Sequence, residues 1–265
     1  MPNPDRGWRQ LMKTSAAGVV VVALTAPALS VFVLAFSSTN FLTLDIGRPT
    51  IRWFLTATGN SWPLAIFSSL VLAALSASIA GVCGSLAAVY RVYGHNQVLA
   101  TVLDLSAFVV FITPPISLAV GYFRLFGEGS VAALLIGHCV LALPFPYLSV
   151  SVGLRSVGPE VLQAAQLFGA TDLEVMRRVL LPSVKRFCWL GIALAFLASW
   201  DETVLAVFLT NPSTVTLPKE IWDSMQRERD LTAAAINVIT SPILAGLIVR
   251  LFTSIPIGRG SPSAT

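Results

Sequence analysis

The sequence predicts an all-α, polytopic bundle of membrane-spanning helices. Of 265 residues, 55% are hydrophobic and only 11% are Asp, Glu, Lys or Arg, against about 25% charged in a soluble domain. Six stretches are long and apolar enough to span a hydrocarbon core of about 30 Å, which takes about 20 residues at 1.5 Å rise. Lys and Arg are also distributed unevenly between the segments that join those stretches, as the positive-inside bias requires.

The expected spans are Thr14–Phe36, Pro63–Tyr90, Val98–Phe123, Ser130–Val152, Val184–Leu209 and Leu231–Ile255. The first has a basic flank (Arg6, Arg9, Lys13) like a signal peptide. Its apolar run exceeds the roughly 7–15 residues of a signal core, so a retained helix is expected. With the N-terminus inside, eleven of the 17 Lys and Arg fall on cytoplasmic segments: Arg6, Arg9, Lys13, Arg91, Arg155, Arg177, Arg178, Lys185, Arg186, Arg250 and Arg259. The other six (Arg48, Arg52, Arg124, Lys219, Arg227, Arg229) fall outside. Both termini are therefore expected in the cytoplasm.

The organisation that follows has three parts. Residues 1–60 hold a cytoplasmic segment, the first span and an outer loop. Residues 61–256 form the transmembrane domain with a cytoplasmic loop at 158–182. Residues 257–265 are a short cytoplasmic tail. Pro114–Pro115 and Pro144 with Pro146 lie within spans. Such breaks need protein or a water-lined cavity to satisfy the freed carbonyls, and simple packing kinks remain the other reading. Cys83, Cys139 and Cys188 have no pairing or metal-ligand spacing and read as apolar thiols. His138 reads as a structural histidine, and no catalytic or metal site is expected.

The segment Gly158–Pro182, GPEVLQAAQLFGATDLEVMRRVLLP, is too polar to span and too apolar for an idle loop. Pro159 suits the first position of a short helix, with Glu160 in its opening turn. Val161, Ala165 and Phe168 share a face by spacing. Gly169 ends that helix as a left-handed cap. Thr171 and Glu174 form a capping-box pattern for a second helix, with Arg177 and Arg178 in its last turn and Pro182 at its exit. Local chemistry leaves open whether the loop packs on its own bundle or receives another protein.

This stretch resembles the EAA loop of ABC importer permeases. The matching positions are Gln163, Ala164, Ala165, Gly169, Val179, Leu181 and Pro182, with the family's spacing kept throughout and Gln163 standing where the family has Glu. From about Pro63 to Ile255 the chain is also similar to the PotC-type permeases of polyamine importers. GHCVLALPFPYLSVSVGLRSV, SWDETVLAVFL and TLPKEIWDSM carry that likeness. The resemblance implies a six-helix, type I importer permease (MetI-like) in the bacterial inner membrane. It implies that the loop is a coupling helix seated in an ABC ATPase dimer. It further implies a second, PotB-like permease subunit and a periplasmic substrate-binding protein. No nucleic-acid partner is expected.

A Gly-rich phosphate loop ending in Gly-Lys-Ser/Thr is absent, and Lys13, Lys185 and Lys219 do not follow glycine. No cofactor is expected on this chain; ATP and Mg would sit on the partner ATPase. An ion-coupled transporter is the rival class, disfavoured by the few intramembrane ionisable groups.

Charges at membrane depth are costly and usually functional. Asp201 and Glu202 are expected inside the fifth span behind Trp200, and Asp104 near the entrance to the third. Asp201 and Glu202 either line a route for a cation, with Trp200 adding a cation–π contact, or cap a helix break. The resemblance favours a polyamine such as putrescine or spermidine as cargo. Other cations, opines, amino-acid derivatives and ferric iron remain alternatives. A short outer helix from Pro218 is expected to carry Ile221, Trp222 and Met225 on its apolar side, against the membrane interface or a binding protein.

Overall fold

The computed structural model describes residues 4–38, 47–59, 61–157, 161, 164, 165, 167–211, 214–226 and 231–254. Among them the regular structure is helical: α1 (Pro4–Ala35), α2 (Arg52–Ala57), α3 (Trp62–Tyr93), α4 (Gln97–Ile112), α5 (Pro115–Phe126), α6 (Val131–Ala142) and α7 (Pro144–Arg155) come first. Then follow α8 (Asp172–Val175), a π-helical segment (Met176–Leu180), α9 (Leu181–Trp200), α10 (Val204–Leu209), α11 (Leu217–Gln226) and α12 (Thr232–Ser254). Five described helices are long and apolar enough to cross a membrane, or six if the bent α4–α5 pair is one span. The chain forms two compact units, Met1–Asn60 with Asp223–Leu244 and Ser61–Trp222 with Ala245–Thr265.

In the first unit, Ala35, Trp53, Leu231 and Ala235 are buried together. The Trp53 indole N–H donates to the Ser37 carbonyl at 2.8 Å, so the aromatic buries its polar edge with a partner. Val19, Val20, Val21, Val22 and Leu24 on α1 are exposed. In water that would be unfavourable; around a membrane span lipid is the natural solvent.

The second unit is built on α3, α7 and α9. Without a hydrophobic drive between helices in lipid, small residues that admit close backbone approach hold such a core. A Cβ on Gly191 would lie 2.4 Å from the Pro146 Cα, and one on Gly84 would lie 2.9 Å from both the Leu143 carbonyl and Pro146. Pro146 therefore fills a socket between two glycines. Pro144 and Pro146 are both fully buried, and α6 and α7 continue as one span, Val131–Arg155. Of the two readings of these prolines, packing prevails.

Pro114 and Pro115 behave differently. Thr113 (ψ 120°) and Pro114 (ψ 132°) are extended, as the residue before a proline prefers. The expected third span is corrected to two helices, α4 and α5, meeting at 100°. Pro115 takes the opening position of α5, where its missing N–H costs nothing.

The fifth span is also corrected, from Val184–Leu209 to Leu173–Trp200. The loop's second helix does not end at Pro182. The Leu181 N–H donates five residues back, to the Met176 carbonyl, and the widened π turn carries the helix past a proline that cannot donate. At the other end α9 stops at Trp200, and α10 begins only at Val204.

The outer helix α11 exists, with Trp222 and Met225 exposed at 45% and 55%. Its Glu220 and Ser224 are buried together with Leu217, so the buried side is mixed and is not the one that carries Trp222 and Met225. Cys139 and Cys188 are half-buried, and Cys83, expected inside, is exposed on α3. Pro159, Glu160, Gln163, Arg227, Arg229, Ile255 and the 257–265 tail lie outside the described residues.

Candidate functional site

The loop at 158–182 holds its described part by two local devices. Residues 161, 164, 165 and 167 are helical. The Phe168 N–H donates to Ala164 at 3.1 Å and the Ala170 N–H to Ala165 at 3.1 Å, the second being the six-to-one bond of a Schellman end. Gly169, at φ +81°, is the left-handed residue that this ending needs. Two residues later the capping box forms reciprocally. The Thr171 N–H donates to Glu174 Oε2 at 3.1 Å, and the Glu174 N–H donates to Thr171 Oγ1 at 3.4 Å. Glu174 also meets Arg178 at 3.6 Å.

The loop has an inner and an outer side. Val175 and Leu180 are buried with Ala88, Ala107, Tyr147, Val150, Leu154 and Val184, and Ala165 and Ala170 pack against that cluster. Leu167 and Phe168 point outward, 88% and 92% exposed. The expected common face of Val161, Ala165 and Phe168 therefore splits. Phe168 sits in the turn beyond the helix, where helical spacing no longer applies. Its ring borders a groove lined also by Gly169, Ala170, Glu174, Val175, Arg178 and Val179. Leu181 and Pro182 are exposed on the same stretch, and Val179 is half-buried.

The anchor of this loop adjoins a polar cluster that sequence reasoning found only in part. Asp104 accepts from Arg91 Nε and from the Tyr147 hydroxyl, both at 2.5 Å, tying α3, α4 and α7 together. Tyr147 belongs to the same apolar cluster that buries Val175 and Leu180. The costly charge at Asp104 was legible; its partners, 13 and 43 residues away, were not.

The second candidate lies at the end of α9. Asp201 and Glu202 do not sit in a continuous helix; that placement is corrected by the break at 201–203. The Asp201 N–H closes α9 on the Leu197 carbonyl at 3.1 Å, and its side chain is exposed. Glu202 accepts from the Leu205 N–H at 3.0 Å and so caps α10. Trp200 stacks on Phe196 with centroids 6.2 Å apart. The corner therefore presents one exposed carboxylate beside an aromatic face, with the second carboxylate engaged by a backbone amide.

Residues 80–255 match the sequence profile of the family described as the binding-protein-dependent transport system inner membrane component. The chain belongs to this family. It is an inner-membrane, multi-pass permease of an ABC importer. Among curated proteins it is 27% identical over 94% of its length to the spermidine/putrescine transport system permease protein PotC of Escherichia coli K12, covering 95% of that protein. It is 26% identical to the putrescine transport system permease protein PotI of the same strain, over 85% of this chain and 84% of that protein. A putative 2-aminoethylphosphonate permease, PhnV of Salmonella paratyphi A, is 26% identical over 76% of this chain and 78% of the relative. Among solved structures, a bacterial ABC transporter for alginate import superposes with TM-score 0.76 at 12% identity, covering 93% of this permease and 94% of that chain. The methionine transporter MetNI superposes with TM-score 0.61 at 17% identity, covering 72% of this permease and 92% of that chain.

Proposed function

We propose that this permease forms part of the transmembrane path of an ATP-driven importer for a polyamine, and that the loop at 158–182 docks the ATPase. The observation that carries the docking is the two-sided loop. Val175 and Leu180 are buried in the bundle, while Leu167 and Phe168, on a helix–Gly–helix turn, are almost fully exposed. A partner that buries two large apolar side chains gains roughly 1.5–3 kcal/mol for each. The Gln163, Ala164, Ala165, Gly169, Val179, Leu181 and Pro182 pattern supports the same assignment. With Gln at position 163, docking rests on shape and apolar contact rather than on an ion pair there.

The partners proposed are an ABC ATPase dimer carrying ATP and Mg, a second permease subunit and a periplasmic binding protein. Both termini are cytoplasmic, which requires the bent α4–α5 pair to count as one crossing. A polyamine cargo is supported by the names of PotC and PotI and by the exposed Asp201 carboxylate beside Trp200, a fit for an ammonium group. An aminated small solute of another kind is the second reading, favoured by the PhnV likeness. The test is reconstitution with the neighbouring ATPase and binding protein, with uptake competed by putrescine and spermidine. ATP-dependent uptake competed by both supports the proposal. Uptake driven by a proton gradient without ATP overturns it.

A further inference from the structure

His138 is the one buried imidazole described, only 2% exposed, on α6. Its Nδ1 lies 2.8 Å from Ser199 Oγ, and Ser199 Oγ lies 2.8 Å from Ser76 Oγ. These three side chains join α6, α9 and α3 one residue before Trp200. The direction of the proton chain can be read from its far end. Ser76 Oγ lies 2.6 Å from the Leu72 carbonyl, which can only accept. A hydroxyl has one proton to donate, so the Ser76 proton is spent on Leu72. Ser199 must then donate to Ser76. With its own proton spent, Ser199 can only accept from His138, so the imidazole N–H is at Nδ1. The Nε2 atom then carries the lone pair of the neutral ring; it has no hydrogen-bond partner among the described residues.

We propose that His138, fixed as the Nδ1–H tautomer, is a positioning residue for the turn that carries Trp200, Asp201 and Glu202. It acts through Ser199, in the last turn of α9. The Asp201 N–H closes α9 on Leu197, Thr203 Oγ1 donates to the Asp201 carbonyl at 3.3 Å, and beyond the break Glu202 accepts from the Leu205 N–H of α10. A directional bond from a neighbouring helix fixes where α9 stops. The tautomer follows from the hydrogen-bond chain alone; what the turn is for rests on the cargo path proposed above.

The test uses the full chain in lipid nanodiscs. Only His95 and His138 are present, so 15N-histidine labelling with a His95→Gln control assigns the signals. Nδ1 of His138 should give a protonated-type shift and Nε2 an unprotonated one; the reverse pattern overturns the proposal. Hydrogen exchange at residues 199–205 then separates positioning from bulk packing. Asparagine places its amide nitrogen near the Nδ1 position, whereas glutamine reaches the Nε2 position. His138→Gln should speed exchange there about tenfold, the loss of one buried hydrogen bond, and His138→Asn should restore protection. If His138→Gln alone leaves exchange unchanged, or if both variants speed it equally, the positioning role is wrong. Putrescine uptake by the assembled importer should fall with His138→Gln and recover with His138→Asn. Absence of uptake by the unaltered protein would count against the polyamine cargo and leave the tautomer and exchange results to decide this inference.

Discussion

Two carboxylates one residue apart take different work at the end of α9. Asp201 is exposed, while Glu202 spends an oxygen on the Leu205 amide. Charge is needed for the first task and only an acceptor for the second. Asp201→Asn should therefore depress cation uptake, seen as a raised KM in vesicle assays, while Glu202→Gln, which keeps the cap, should leave it near that of the unaltered protein. Glu202→Ala loses the cap and should cost about 0.5–2 kcal/mol, read as a lower thermal midpoint in detergent. The contact of Gly191 with Pro146 makes an independent prediction. Its added Cβ would strike backbone rather than a flexible side-chain end, so Gly191→Ala should destabilise by about 1–3 kcal/mol, with a fall in Tm. The charge at 201 was visible in sequence as an anomaly in an apolar run. The capping role of Glu202 was open, because capping depends on where the helix stops.

At the scale of elements, the loop between α7 and α9 was largely readable. Its signals are local: Gly169 for a left-handed end, Thr171 and Glu174 for a reciprocal cap. Such interactions span three to five residues, so no distant partner is needed to predict them. The continuation of α8 through Pro182 was not readable, since proline normally breaks a helix and only the five-back bond of Leu181 carries it onward. The loop separates folding from docking in a testable way. Phe168→Ala removes an exposed ring, so it should leave Tm unchanged while reducing ATPase copurification. Gly169→Val forces a β-branched residue to φ +81°, at a cost of about 1–2 kcal/mol, and should weaken both. Equal copurification of the Phe168→Ala variant would remove the groove from the docking surface.

At the scale of the molecule, topology depends on one corner. Thr113–Pro114 turns the chain through 100°, and whether α4 and α5 together cross the membrane sets the side of everything that follows. If they do, reporters fused at either terminus should both be read from the cytoplasmic side; a periplasmic C-terminus would mean that the pair re-enters. The sequence by itself determined the membrane, the all-α class, the approximate place of most spans and the caps of the loop; the break in the third span and the bounds of the fifth were not among them. Those it did determine follow from composition, periodicity and short-range hydrogen bonds, which a linear reading can weigh. Only the tertiary structure decided that Pro146 is a packing knob between Gly84 and Gly191, that Asp104 is held by Arg91 and Tyr147, that Ser199 links His138 to Ser76, and that α11 buries Glu220 and exposes Trp222. Each of these depends on which helix lies beside which. In lipid that choice is made by close backbone contact and a few polar bonds rather than by a hydrophobic pattern, so it leaves little trace along the chain.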